Sequence, residues 1–289
     1  MSAGRGPRRA VLCVPATEPR KIAKAYAAPA DEVVVDLEDA VSVDQKGAAR
    51  AEIARLGIRE HGLLAVRVNA VGTPWHEADV ESCVTNPAIG SIVVPKAEDP
   101  EAIRALARSL GDLEERHGRG EPLLIQELLE SPAGVHRAVD LAVATERVCA
   151  LILGYADLSA SMGRRVESSW QFAQDALLLA AGIAGVQAID GPALTIAADA
   201  ALEEAVLLAE GLGFDGKWVI HPAQVSTVQH GFTPTTQERE EATEILTAMQ
   251  AATDEGRGAV QWRGRMLDEA VAVRARRILG RGDQAGGTA

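Results

Sequence analysis

The chain alternates between short continuous apolar runs and longer segments in which apolar residues recur every three to four positions. Continuous apolar runs of this length are typical of strands buried on both faces, and the longer period is typical of amphipathic helices. The alternation occurs eight times in about 220 residues. The predicted strands lie at residues 10–16, 32–38, 63–69, 91–96, 123–130, 148–155, 186–190 and 216–221.

Eight strand–helix units at this spacing predict an α/β fold, a closed (β/α)8 TIM barrel over residues 10–232. An open doubly wound sheet is the alternative, but the chain lacks both G-x-G-x-x-G after the first strand and G-x-x-x-x-G-K-[ST] anywhere. Residues 1–9 are predicted to be a disordered leader. Residues 233–289 are predicted to be a C-terminal arm of helix, hairpin or extended piece, and helix, packing on the barrel mouth or a neighbouring subunit.

Composition narrows the class of protein. Apolar residues make up 47% of the chain and aromatic residues 3%, so the core should be aliphatic. The net charge of −12 argues against a nucleic-acid partner, which requires a basic surface. No run reaches the length of a membrane span, and no secretory signal is recognisable, so we expect a cytoplasmic protein that does not insert into membranes. Three widely spaced cysteines show neither a zinc pattern nor a disulfide framework.

Ionisable residues follow nearly every predicted strand. The catalytic face of a (β/α)8 barrel is built at the carboxyl ends of its strands, so these residues are the candidates for a site. Asp44, Asp99 and Asp199 are excluded because they are predicted to cap helices. The remaining strand-end candidates are Asp36, Glu38, Asp39, Arg67, Asn69, Lys96, Glu98, Glu127, Glu130, Asp157, Asp190 and His221.

Glu130 and Asp157 are the first pair of interest, because each ends one of two neighbouring predicted strands. Two carboxylates at one rim suit a hard divalent cation, and Mg²⁺ keeps coordination positions open for a chelating substrate. A 2-oxo acid chelates through its keto oxygen and one carboxylate oxygen, and the metal then acts as a Lewis acid. The pair therefore predicts a magnesium site.

Arg67 ends an apolar strand, where its charge requires a partner. That partner is either a ligand carboxylate or one of the acids of the second strand, and a guanidinium suits both. An arginine here can stabilise an enolate oxygen or a thioester carbonyl, which together with the metal predicts a carbon–carbon lyase of aldol or Claisen type. Two roles stay open for Lys96: an ion pair with Glu98 or Glu127 at the barrel rim, or a part in the chemistry. For His221, which precedes Pro222, a structural role is favoured.

Several motifs carry a resemblance to a known family: VVVDLEDAV, VRVNA, VVPKAE, LLESPAGV, LGYADLSASMG, AIDGP, VIHPAQV and GRMLDEAV. From about residue 11 to 279 the chain resembles the citrate lyase beta subunit-like branch of the HpcH/HpaI aldolase family, which includes malyl-CoA and citramalyl-CoA lyases. The resemblance implies a (β/α)8 barrel assembled as a homotrimer or hexamer, with Mg²⁺ as cofactor and a coenzyme A thioester as substrate.

The resemblance also implies roles for individual residues. Glu130 and Asp157 match magnesium ligands, and Arg67 matches a catalytic arginine. Asp268 matches an aspartate that the C-terminal arm of one subunit places over a neighbour's site.

Two further groups match family positions. Asp36, Glu38 and Asp39 match an acidic motif that orients site groups and waters. Lys21 and Lys24 align with basic positions expected near coenzyme A, although Glu18 replaces an expected arginine.

The function implied is cleavage of a citryl-, malyl- or citramalyl-CoA type thioester to an acyl-CoA and a 2-oxo acid. Three alternatives stay open. One is a beta subunit of a citrate lyase complex that acts on a carrier-bound thioester. Another is a malyl-CoA thioesterase or malate synthase-like activity with Asp268 as base. The third is a binding protein that keeps the barrel without turnover.

Overall fold

The central feature of the fold is a closed barrel of eight parallel strands in sequence order, which confirms the predicted fold class. The structure, a computed structural model, describes residues 6–285, the last five of them by backbone alone. The strands are β1 (Ala10–Pro15), β2 (Glu32–Asp36), β3 (Leu63–Arg67), β4 (Ser91–Val94), β5 (Leu124–Leu129), β6 (Val148–Leu153), β7 (Gln187–Asp190) and β8 (Gly216–Val219).

Aliphatic side chains fill the barrel interior, as the composition predicts. Side chains alternate between the two faces of a strand, so every second residue points inward and its neighbours face the surrounding helices. This alternation decides which strand-end residues open onto the barrel mouth. The interior cluster consists of Val11, Val34, Ala65, Val93, Leu128, Ala150, Ile152, Ile189 and Trp218.

Helices connect consecutive strands and cover the outside of the barrel. The N-caps predicted at Asp99 and Asp199 are confirmed, whereas Asp44 lies within a short 3-10 turn rather than at a cap. The helices of the barrel unit are α1 (Pro19–Ala27), α2 (Lys46–Ile53), α3 (His76–Thr85), α4 (Pro100–His117), α5 (Pro132–His136), α6 (Ala138–Ala142), α7 (Tyr155–Met162), α8 (Gln171–Ala184), α9 (Ala200–Leu212) and α10 (Val225–Phe232).

The amino-terminal end of the barrel holds a buried polar cluster, which corrects part of the predicted disordered leader. Residues 1–5 lie outside the described residues, but Arg8 is buried and its Nε donates to Glu32 Oε1 at 3.0 Å. Gln126 Nε2 donates to the same carboxylate at 2.9 Å. Arg9 pairs with Asp31 at 2.7 Å. These partners order the chain before β1, because a buried carboxylate such as Glu32 requires a cation.

The carboxyl-terminal part forms a second compact unit, with the division between His230 and Gly231. Two long helices, α11 (Thr236–Asp254) and α12 (Glu269–Ala285), pack against each other and against the hairpin of β9 (Val260–Trp262) and β10 (Arg265–Leu267). The unit therefore has a core of its own. Its buried residues are Ala242, Ile245, Met249, Leu267, Ala272 and Ala275.

Candidate active site

The carboxyl end of β2 and the neighbouring end of β3 are joined by Asp36 and Arg67. Arg67 Nε and Nη2 donate to the two carboxylate oxygens of Asp36 at 2.7 and 2.6 Å. Asp36 is fully buried and Arg67 nearly so. Burial lowers the pKa of Arg67, but the carboxylate of Asp36 outweighs it and raises the pKa well above its usual value. The guanidinium is therefore fixed in direction and permanently charged, and Asp36 is the partner that the sequence left undecided.

Glu38 and Lys96 extend this pair across the mouth. Arg67 Nη1 lies 3.3 Å from Glu38 Oε2, and the Lys96 ammonium donates to Glu38 Oε1. Asp39, further out, is exposed, and its Oδ1 lies 3.6 Å from the Lys96 ammonium. Lys96 thus pairs with the β2 acids and not with the Glu98 or Glu127 that the sequence suggested.

Lys46 of α2 binds the turn after β2 that carries Glu38, although it was not among the site residues predicted from the sequence. Its Nζ donates to the carbonyl oxygens of Leu37 and Glu38 at 2.7 and 2.8 Å. The signal was present in the helix pattern, because Lys46 is in phase with the buried residues Ala49 and Ile53 of α2. A lysine on the buried face of a helix requires polar partners, and here these are the carbonyls of the acidic turn.

Glu130 follows β5 directly and lies at the mouth close to Lys96. Its Oε1 accepts a hydrogen bond from the main-chain N–H of Lys96 at 2.8 Å. Burial raises the pKa of Glu130 to about 8, the Lys96 N–H opposes that shift, and the charge of Asp157 adds to it. A hydrogen bond thus holds the Glu130 side chain in place, but no described cationic side chain forms an ion pair with it. A bound metal ion would supply that positive charge.

Asp157 reaches the mouth from α7, not from a strand end. β6 ends at Leu153, two residues earlier than predicted, so Asp157 lies in the first turn of α7. Gly154 N donates to Leu129 O at 3.0 Å and so places the start of α7 beside the end of β5. A Cβ on Gly154 would lie 2.6 Å from Glu130 Cβ. Only glycine allows the two segments to approach this closely.

The donor set fits Mg²⁺. Neighbouring basic side chains are engaged elsewhere, Arg67 with Asp36 and Lys96 with Glu38, and among the described residues neither Glu130 nor Asp157 forms an ion pair that would compete with a metal ion. Within residues 6–285, no group of three or more His, Cys, Asp or Glu side chains is placed to hold a metal ion. Mg²⁺ is commonly bound through only one or two protein carboxylates, with water and substrate oxygens completing its shell.

Three strand-end candidates face away from the barrel interior or are engaged in other contacts. Glu127 belongs to the middle of β5 and alternates with the interior Leu128, so it faces the helices. Asp190 also faces outward, where it binds the ammonium of Lys217 at 2.5 Å. His221 caps the short 3-10 turn after β8 by accepting from Ala223 N at 3.2 Å. Adjacency to a strand end identified these residues, but the alternation of side chains turned Glu127 and Asp190 outward.

The residues that the resemblance assigns to coenzyme A and to the arm are exposed. Lys21 of α1 forms an ion pair of 2.5 Å with Glu18, the residue before the helix, and Lys24 is exposed on the same helix. Asp268 lies in the second unit, where its Oδ1 accepts from Val271 N at 3.2 Å at the start of α12. The roles of these residues stay predictions.

A barrel with an arginine–aspartate pair and two further carboxylates at its mouth has the features of an enzyme that binds a divalent cation and an anionic substrate. The HpcH/HpaI aldolase/citrate lyase family model matches residues 9–222. The chain belongs to the HpcH/HpaI aldolase/citrate lyase family, as the motifs predicted.

Curated relatives are similar over nearly their whole length. The chain is 33% identical to the L-malyl-CoA/beta-methylmalyl-CoA lyase of Cereibacter sphaeroides over 301 residues, covering 94% of each chain. It is also 33% identical to citrate lyase subunit beta of Escherichia coli over 296 residues, covering 96% of this chain and 94% of the relative.

Solved structures agree with this assignment. CitE of Mycobacterium tuberculosis, in complex with magnesium, acetoacetate and coenzyme A, is 28% identical with a TM-score of 0.76, covering 96% of this chain and 98% of that chain. A citrate lyase from Burkholderia xenovorans, at 22% identity and a TM-score of 0.84, shares the fold. In the part of the chain that the structure describes, no helix has the length and apolar character needed to cross a membrane.

Proposed function

We propose that this protein is a Mg²⁺-dependent carbon–carbon lyase. It cleaves a hydroxy-carboxyacyl-CoA thioester of the citryl-, malyl- or citramalyl-CoA type to an acyl-CoA and a 2-oxo acid. The observation that carries the proposal is a chain of contacts at one barrel mouth. The start of α7 packs on Glu130, Glu130 accepts from the main-chain N–H of Lys96, and the Lys96 ammonium pairs with Glu38, which also contacts Arg67. The relatives named as lyases, matched over nearly the full chain, support it.

Each side chain has a defined task in this proposal. Glu130 and Asp157 would hold Mg²⁺, which would supply Lewis-acid polarisation of the 2-oxo acid portion of the substrate. Arg67 stabilises negative charge on the thioester oxygen as the carbon–carbon bond breaks, and Asp36 keeps its guanidinium aimed. The substrate hydroxyl loses a proton, and the acyl-CoA enolate gains one at carbon. We assign this proton transfer to Asp268 of the arm.

We further propose that the protein works as a homo-oligomer, a trimer or hexamer, in which Asp268 serves a neighbouring subunit. The outer faces of α8 and α9 carry large exposed apolar side chains, which is typical of surfaces that associate. A second copy of this chain could bury this exposed apolar surface. These residues are Phe172, Leu179, Ile183, Leu207 and Leu208.

A second candidate is a beta subunit that acts on a carrier-bound thioester. It is favoured by the equal identity to citrate lyase subunit beta of Escherichia coli and by the Glu18–Lys21 ion pair, which reduces positive charge where coenzyme A is expected. Thioesterase or malate synthase-like activity with Asp268 as base is a third. We place the protein in the cytoplasm, the compartment in which coenzyme A thioesters are made and consumed.

The deciding experiment is a panel of citryl-, malyl- and citramalyl-CoA incubated with Mg²⁺ while release of the 2-oxo acid and of free coenzyme A is followed. Release of an oxo acid without free thiol supports the lyase, and thiol release supports the thioesterase. Arg67→Ala and Glu130→Ala should each abolish turnover while the circular dichroism spectrum is kept. Full activity in either variant would refute the proposed mechanism. Turnover only with a carrier-bound thioester would favour the beta subunit.

A further inference from the structure

Lys96 links the two halves of the proposed site through two different groups. We propose that it is a positioning residue whose main-chain N–H holds Glu130 and whose ammonium holds Glu38. The inference rests on the proposed lyase function and adds to it a residue that fixes the arginine side of the mouth relative to the metal side.

The backbone of Lys96 is in a conformation that lysine rarely adopts. Its φ is +51°, and within the described residues only Arg263, at +48°, shares a positive φ without being glycine. A side chain in this left-handed region crowds the backbone, so the conformation persists only where the surroundings enforce it. Such residues concentrate at functional sites, and Lys96 lies between two of the proposed site acids.

Three contacts enforce the conformation. Lys96 N donates to Glu130 Oε1 at 2.8 Å, and the next residue, Ala97, donates from its N to Leu128 O at 3.2 Å. Gly134 in α5 packs against the outside of this bend, since a Cβ there would lie 2.5 Å from Ala97 O. The bend after β4 is thereby pressed against β5, and the N–H of Lys96 is aimed at Glu130.

The left-handed backbone sends the side chain in the other direction, towards the β2 acids. Its ammonium donates to Glu38 Oε1 and lies 3.6 Å from Asp39 Oδ1. The Glu38 side chain is 5% exposed and that of Lys96 is 43% exposed. Glu38 also contacts Arg67 at 3.3 Å, so the lysine is one of two cations that set the direction of this buried carboxylate.

The N–H of Lys96 and its ammonium have separate tasks, so their loss should have different effects. This distinguishes the proposed positioning role from a general structural contact. Removing the ammonium frees Glu38 and disturbs the surroundings of Arg67, but leaves the N–H on Glu130. Displacing the bend disturbs Glu130 and hence the metal. A residue that merely braces the rim would instead lose stability and activity together.

Lys96→Gly is the informative variant for the ammonium, because glycine tolerates the left-handed backbone and keeps the N–H. We expect a melting temperature close to that of the wild type, since relief of backbone strain offsets the loss of the partly exposed ion pair with Glu38. We expect Mn²⁺ affinity, followed by electron paramagnetic resonance, to stay within about threefold, while kcat falls about tenfold to a hundredfold, the size of loss that follows misplacement of site groups. Lys96→Arg, which keeps a cation, should recover part of kcat. Arg263→Gly is the matched control for strain relief in thermal unfolding.

Gly134→Ala is the informative variant for the main chain, because its methyl group would displace Ala97 and carry the Lys96 N–H away from Glu130. We expect Mn²⁺ to bind about tenfold more weakly, as on loss of an outer-shell hydrogen bond. Gly182→Ala is the matched control, since a Cβ at this helical glycine of α8 meets no atom within 4 Å.

Wild-type kcat in Lys96→Gly would overturn the proposal, and so would Mn²⁺ affinity in Gly134→Ala equal to that of Gly182→Ala. A joint fall of stability and kcat in Lys96→Gly would also overturn it, in favour of a bracing role. Failure of the proposed function looks different, because the wild-type protein itself would then bind no Mn²⁺ or cleave no thioester.

Discussion

Tyr155 and Asp190 are joined by a hydrogen bond of 2.5 Å that ties the first residue of α7 to the last residue of β7. Lys217 completes the buried group by donating to Asp190 at 2.5 Å, and Gln174 of α8 donates to the tyrosine oxygen at 2.8 Å. Burial raises the pKa of Tyr155, and the negative charge of Asp190 raises it further, so the phenol stays a donor. The network anchors the helical turn that carries Asp157.

Tyr155→Phe should therefore weaken metal binding without removing a metal ligand. Loss of the hydrogen bond loosens the start of α7, and outer-shell losses of this kind reduce metal affinity by about tenfold or more. Isothermal titration with Mn²⁺ measures the change. Tyr26→Phe is the matched control, because its hydroxyl donates to Gly57 O on an exposed part of the surface. Equal Mn²⁺ affinity in the two variants would show that the network does not position Asp157.

Asp36→Asn should destabilise the protein and abolish turnover. The exchange removes the carboxylate that accepts two hydrogen bonds from Arg67 and leaves only the more distant Glu38 at 3.3 Å, and breaking a buried ion pair costs about 3–5 kcal/mol. Urea denaturation measures the loss in the free energy of unfolding. Asp39→Asn is the control within the same turn, and because Asp39 is exposed we expect a change below about 1 kcal/mol. Similar losses in both variants would contradict the importance assigned to the Asp36–Arg67 pair.

Glu127→Gln should change how stability depends on pH. Neither carboxylate oxygen has a hydrogen-bond partner among the described residues, and burial raises the pKa of Glu127 from about 4.5 to about 8. Between these two values the unfolded chain is ionised at this position while the folded protein keeps the proton. The folded state therefore loses stability as pH rises through this window, by about 1.4 kcal/mol per pH unit.

The glutamine variant lacks this ionisation, so its stability relative to the wild type should increase steadily from pH 5 to about pH 8. Urea denaturation at several pH values gives the difference curve, in which the contributions of other groups cancel. Glu60→Gln removes an exposed carboxylate as the control for the loss of one charge. Wild-type and Glu127→Gln curves that run parallel would contradict a protonated Glu127.

Asp268 and Arg67 should complement each other if the arm of one subunit completes its neighbour's site. Arg67→Ala and Asp268→Asn would each be inactive alone. After mixing, dissociation and reassembly, some sites combine an intact barrel with an intact arm, so activity should reappear. Lyase assays on the mixture measure this. No recovery, in mixtures shown by native mass spectrometry to contain both chains, would place Asp268 in its own subunit's site or outside any site.

Glu18→Ala should tighten the binding of coenzyme A thioesters. Glu18 neutralises Lys21 through an exposed ion pair, and its removal leaves the lysine free to attract phosphate. We expect KM to fall several-fold at low ionic strength, with the gain fading as salt is added. Glu52→Ala is the matched control, because it breaks another ion pair three residues apart at the surface, between Glu52 of α2 and Arg55 just after that helix. An unchanged KM would remove α1 from the thioester site.

The barrel was predictable because the residues that specify each strand and each helix end are close together in the sequence. Each strand is a continuous apolar run, and helix ends carry capping residues such as Asp99 and Asp199 at their predicted places. Boundaries that depend on packing were predicted less well: β6 ends at Leu153, two residues before its predicted end. A hydrogen bond between neighbouring strands decides where a strand ends, and its partner is distant in sequence.

The sequence by itself determined that this chain forms a parallel barrel whose strands end in ionisable residues, and its motifs determined the family. It did not determine which of those residues meet. Only closure of the barrel paired Arg67 with Asp36 and brought Glu130 to the start of α7, and the alternation of side chains along β5 turned Glu127 away. The left-handed turn at Lys96 arises in the same way, because it is enforced by contacts with β5 and α5 that no local pattern records.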